Sequence, residues 1–168
     1  KLLPDEFADD TERRQRFLTE AKAASALTHP NVCVIYEVGT SDEGRPFIAM
    51  ELLSGQPLDE LLESNRLEPE GVLALSQQLA DALAAAHEQG VIHRDIKPAN
   101  IYVNKRGVAK ILDFGLAKRV TAADDNDATL VQQTMAGQVL GTPNYMSPEQ
   151  VLGETVDHRS DLFSLGVV

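Results

Sequence analysis

The stretch HRDIKPAN, residues 93–100, decides how the rest of the chain reads. It places Arg94, Asp95, Lys97, a proline and Asn100 directly after the apolar pair Val91-Ile92. Burying that much polarity beside a hydrophobic run is costly unless each group has a partner or a task. A second polar signature, DFG, stands at 113–115, and residues 101–112 read as a small hairpin around Asn104-Lys105-Arg106-Gly107. Such a hairpin folds back and brings the loops of Asp95 and Asp113 together. Two carboxylates and the side-chain carbonyl of Asn100 are hard oxygen donors suited to magnesium, which takes one or two carboxylates with phosphate oxygens and water. Lys97 adds a cation able to neutralise a migrating phosphoryl group. This set points to phosphoryl transfer, where positioning and charge compensation supply most of the catalysis.

On the N-terminal side, residues 9–27 read as a helix, with Asp9 as N-cap, Glu12 completing a capping box, and Phe17, Ala21 and Ala24 on one face. Residues 28–31 break it. Two extended segments follow, 32–38 and 46–53, joined by a turn at 41–44 and expected to pair antiparallel. Residues 58–62 form a short helix. The strongest helix runs from Pro69 to Gln89: proline suits its first position, Leu75, Leu79, Ala82 and Ala86 share a face, and Gly90 stops it. From Asp113 to Glu149 periodicity is lost, and a loop of that length is usually functional.

Composition narrows the field. With 168 residues and 43% hydrophobic content the chain can build a real core, so wholesale disorder is excluded. A net charge of -11 argues against nucleic-acid binding and against contact with an anionic membrane. Cys33 is the single cysteine, so no internal disulfide forms and a reducing compartment fits. It reads as a small core residue in a strand. No apolar run reaches the roughly 18 residues of a membrane span, and the expected setting is cytoplasmic, with any membrane anchor outside this stretch. The chain begins on Lys1 without methionine and ends inside the apolar run 162–168, so a fragment is expected.

HRDIKPAN, DFG and SPE (Ser147-Pro148-Glu149), in that order, resemble the eukaryotic-type protein kinases. Lys97 and the segment GTPNYMSPEQ at 141–150 are similar to the Ser/Thr branch, in a bacterial style. The resemblance implies an α+β, two-lobed kinase fold, truncated here. Residues 1–50 would be a partial N-lobe with a partial antiparallel sheet and one helix, 51–56 the hinge, and 57–168 a mainly helical partial C-lobe. The implied activity is transfer of the ATP γ-phosphoryl group to Ser/Thr hydroxyls of protein substrates with Mg2+, in signal transduction. A pseudokinase that binds nucleotide or scaffolds is the alternative. The isolated stretch is expected to turn over weakly or not at all.

The resemblance also implies roles for individual residues. Asp95 would be the catalytic base and Lys97 would contact the transferred phosphate. Asn100 and Asp113 would hold the metal, and Arg94 would read phosphorylation of the loop. Met50 would be the gatekeeper, with the backbone of Glu51 and Leu53 on the adenine edge. Tyr102 stands under the base, where the family usually carries an aliphatic residue. Lys1 would bind the α/β-phosphates and pair with Glu20; the other reading is a solvated terminal lysine and a Glu20 paired with Arg16. Asp161 would brace the backbone of the catalytic loop. Thr134 and Thr129 are candidate self-phosphorylation sites, where a phosphate could pair with Arg94 and Lys118. A homodimer through the kinase domain is a further expectation. His93 is expected to be packed and hydrogen-bonded rather than catalytic, and His87 to be the polar edge of the long helix.

Overall fold

The computed structural model describes residues 2, 11–42, 44–64, 67–114 and 143–168. Its elements in chain order are α1 (Thr11–Ser25), β1 (Ile35–Thr40), β2 (Pro46–Met50), β3 (Gln56–Pro57), α2 (Leu58–Ser64), α3 (Pro69–Glu88), β4 (Ile101–Val103), β5 (Ala109–Ile111), α4 (Pro148–Leu152) and α5 (His158–Val167). Short 3-10 turns cover Pro98–Asn100 and Pro143–Tyr145.

The strands make two small sheets. β1 and β2 pair antiparallel, with Val38 opposite Ile48 and Thr40 opposite Pro46. The turn between them closes through Ser41 N–H to Arg45 O and Gly44 N–H to Ser41 O. β3, β4 and β5 form the second sheet, in that order and antiparallel throughout. Gly55 enters β3 at φ 123°, and a Cβ there would collide with Val103 O, so only glycine lets this strand approach β4.

α3 is the keel of the larger core. Its stripe of Leu75, Leu79, Ala82, Leu83 and Ala86 is buried against Ile96, Ile101, Ala109 and Ile111. Pro69 occupies the first turn, and Gly90 at φ 72 lets the chain turn away past the C-cap, where Gly90 N–H donates to His87 O. A smaller cluster of Ala21 and Ile48, with Leu18, Ile35, Val38 and Met50 packed on it, joins α1 to the first sheet.

Boundaries differ from the sequence expectation for physical reasons. The strand expected from residue 32 begins at Ile35, because the backbone before it serves the other sheet: Ile111 N–H donates to Asn31 O and Cys33 N–H to Ile111 O. Cys33 is buried, as expected, but sits just before the strand. β2 ends at Met50 rather than residue 53, and residues 51–54 form an irregular link between the sheets. α1 is shorter than 9–27; Asp9 lies outside the described residues, as does the side chain of Phe17.

Ala24 of α1 and Leu27 after it pack into the larger core, and an amide cluster ties down the segment that follows. Asn31, 8% exposed, donates from Nδ2 to Ala109 O at 2.7 Å and to Gln78 Oε1 at 2.9 Å. Gln78 in turn accepts from Ala109 N–H at 3.0 Å and donates to Gly107 O at 2.9 Å. Each hydrogen bond lost from a buried amide leaves a partner unsatisfied, at about 1–3 kcal/mol. Asn31→Leu, which keeps the branched outline and removes both donors, is therefore expected to lower stability by about 1–3 kcal/mol in urea unfolding; an unchanged midpoint would show that the cluster carries no weight.

Candidate active site

The site assembles around residues 93–100. The first of them, His93, is fully buried. Its Nε2–H donates to Leu112 O at 2.7 Å, and its Nδ1 accepts from Asp95 N–H at 3.1 Å. Both ring nitrogens are thus matched to a neutral imidazole, and burial holds its pKa below the usual histidine value. The ring also lies 4.7 Å from that of Phe114, at 60°. Histidine here is a packed structural residue, as expected.

Arg94 follows at φ 65, a left-handed conformation that costs a non-glycine residue about 1–2 kcal/mol. What holds it there is Asp161, 1% exposed, at the first turn of α5. Asp161 accepts from His93 N–H at 2.8 Å and from Arg94 N–H at 2.7 Å. The same carboxylate receives His87 Nε2 at 2.7 Å. His87 is therefore not the polar rim of α3 that the sequence suggested: its side chain is 13% exposed and faces inward to this carboxylate. A second tie comes from Gln150, whose Nε2 donates to Arg94 O at 2.8 Å while its Oε1 accepts from Ser147 N–H at 3.1 Å. The Ser147/Gln150 capping box that starts α4 is thus also a brace for the loop.

Past Arg94 the candidate site side chains meet. Asp95 Oδ2 lies 2.8 Å from Lys97 Nζ and 3.0 Å from Asn100 Nδ2. Asn100 Nδ2 also donates to Asp95 O at 2.8 Å. The hairpin then closes the distance to Asp113: Ile101 pairs with Ile111, and Leu112 N–H donates to Asn100 O at 2.9 Å. Asp113, at φ 58, follows directly. The structure therefore brings Asp95, Lys97 and Asn100 into direct contact and sets Asp113 one residue from the backbone of Asn100.

Above the loop, Met50, Ile35, Val32 and Cys33 line a cavity whose other walls are Ala24, Asp113 and Phe114. Glu51 continues from Met50, with Leu53 half-buried and Leu52 fully exposed beyond it. Tyr102, in β4, pairs with Pro57 on one side and Lys110 on the other. Burial, reinforced by the Glu51 carboxylate, pushes the Cys33 thiol above its ordinary pKa, which keeps it protonated and unreactive. Lys1, Lys118, Thr129 and Thr134 lie outside the described residues, as does the side chain of Glu20.

Sequence reasoning missed the contacts of His87, Gln150 and Gln78. Ser147 and Gln150 did carry a readable signal in their capping-box spacing. His87 carried none, because its partner is 74 residues away.

Two expectations follow. Asp161→Ala strips the acceptor from two backbone amides and a histidine, and should cost about 2–5 kcal/mol in urea unfolding; a loss under about 0.5 kcal/mol, as for an ordinary surface change, would refute the bracing role. The second concerns pH. The unfolded His93 ring takes up a proton near pH 6.5, whereas the folded ring resists it. The unfolded state then binds more protons, and stability should fall as pH drops from about 6.5 toward the depressed folded value. His93→Gln should flatten that slope, and an identical slope in both proteins would count against a neutral buried ring.

Comparison with known proteins agrees with this arrangement. The protein kinase domain family matches residues 1–168. The chain is 45% identical over 173 residues to the serine/threonine-protein kinase Pkn3 of Myxococcus xanthus, covering all of this chain and 31% of that protein. It is 42% identical over 173 residues to PknA of Mycobacterium tuberculosis, covering 38% of it. The crystal structure of the Mycobacterium tuberculosis PknI kinase domain superposes with a TM-score of 0.74 at 30% identity, over 98% of this chain and 58% of that one. The chain thus spans under two fifths of these curated relatives and somewhat over half of the solved domain. It has the α+β, two-lobed kinase-like architecture, with a small sheet and helix on one side and a mainly helical part on the other. On the ordered motifs, the fold and a match over its whole length, this chain belongs to the protein kinase domain family.

Proposed function

We propose that the protein of which this chain is part is an ATP-dependent serine/threonine kinase, and that residues 93–113 carry its chemistry. The observation that carries this reading is the Asp95 carboxylate, held by Lys97 and Asn100 and set on a backbone pinned by Asp161. Asp95 would orient a substrate hydroxyl and accept its proton. Lys97, already 2.8 Å from that carboxylate, would turn its ammonium to the transferred phosphoryl group. Because Asn100 uses its amide nitrogen on Asp95, its side-chain carbonyl is the atom it would present to a cation. The donor chemistry of Asn100 and Asp113, two hard oxygen donors on adjoining backbone, fits magnesium. Magnesium, when bound, offsets charge on the phosphate oxygens.

Residues 1–50 and 57–168 are the two lobes in this reading, and 51–56 the hinge. The backbone of Glu51 and Leu53 would meet the adenine edge, Met50 would close the rear of the pocket, and Tyr102 would lie beneath the base. Lys1 and Glu20 would complete the phosphate contacts, and Thr134 and Thr129 would be sites of self-phosphorylation. Protein substrates are the partners, and pairing of two kinase domains remains part of the reading. Among the described residues no helix is long and apolar enough to cross a membrane.

Radiolabelled γ-phosphate transfer by the full-length protein tests it. Asp95→Asn and Asp113→Ala are each expected to reduce transfer by about 10²- to 10⁴-fold. Equal incorporation by all three proteins, or none by the wild type, would overturn the enzyme reading.

A further inference from the structure

Lys110 stands in the middle of β5, on the sheet opposite the one that leads into residue 51. Its Nζ lies 2.7 Å from Glu51 Oε2 and 3.4 Å from Val32 O. Glu51 is tied on its other sides by the segment just before β1. Its N–H donates to Val34 O at 2.8 Å, and its Oε2 accepts from Val34 N–H at 3.4 Å. Cys33 Sγ approaches its carbonyl oxygen at 3.9 Å. Residues 51–54 belong to neither helix nor strand, so the direction of their backbone depends on such ties.

The two charged side chains are 22% and 27% exposed, intermediate between a surface pair and a buried one. A fully exposed pair contributes little to stability. This one has a second effect, because the same lysine also touches Val32 O, in the connector 32–34 that leads into β1. One cation thus fixes the link, the connector and the second sheet relative to each other.

We propose that Lys110 is a positioning residue for the nucleotide base: by holding Glu51 across the two sheets it sets the angle at which the carbonyl of residue 51 meets the 6-amino group of adenine. The inference rests on the nucleotide-binding reading above. A hydrogen bond of this kind loses most of its discrimination when its acceptor swings by a fraction of an ångström or some tens of degrees. Lys110 touches neither nucleotide nor phosphate in this scheme, so its effect falls on base selection rather than on the chemical step.

The test uses the full-length protein and two probes, ADP and the diphosphate of purine riboside, which has hydrogen in place of the 6-amino group. Calorimetry on wild type, Lys110→Met and Lys110→Arg gives the preference for ADP over the analogue. Lys110→Met should shrink that preference about tenfold, the size of one well-made hydrogen bond, while the affinity for the analogue stays unchanged. Lys110→Arg should restore most of it, and KM for ATP should rise in Lys110→Met with kcat within about twofold. A full preference retained in Lys110→Met would overturn the inference. So would equal weakening of both probes, the mark of general destabilisation. Wild-type protein that binds neither probe would overturn the kinase reading itself, and this inference with it.

Discussion

A single buried carboxylate organises the loop at residues 93–100. Asp161 accepts two consecutive backbone amides, from His93 and Arg94, together with the ring N–H of His87. Amides that point the same way around one acceptor impose a sharp bend on the chain, and Arg94 takes it at a positive φ. Such a conformation persists only where the surroundings over-determine it. Here they do, through three donors on one side and Gln150 on the other. Every distance in the Asp95, Lys97 and Asn100 cluster depends on that bend, since these residues follow Arg94 within six positions.

The second constraint is the hairpin. β4 and β5 are only three residues each, too short to be stable alone. They are fixed because Ile101, Val103, Ala109 and Ile111 are buried in the core that α2 and α3 share, and because Gln78 of α3 bonds the hairpin backbone at Gly107 and Ala109. Packing therefore sets the register, and the register sets Asn100 beside Leu112 and Asp113. A rigid helix positions the loop residues, while the loops carry the polar groups.

Much of this was legible in the chain. The long helix was readable because leucine and alanine recur at helical spacing between a proline start and a glycine stop, and the buried face is the one that the spacing picks out. The hairpin was readable from Asn104 and Gly107, whose backbone and side-chain bonds form the turn. Strand limits were less so. Residues 32–34 are as apolar and β-branched as a strand requires, yet their backbone is divided between two sheets, and local propensity has no term for that competition.

Sequence by itself determined the elements, the family and the identity of the polar groups, because periodicity, turn chemistry and motif order are properties of neighbours along the chain. Only the tertiary structure decided which of those groups hold one another. His87 and Asp161, Asn31 and Gln78, and Glu51 and Lys110 are separated by 74, 47 and 59 residues. Whether such a pair forms depends on how helices and sheets pack, and a buried polar side chain takes whichever partner that packing presents.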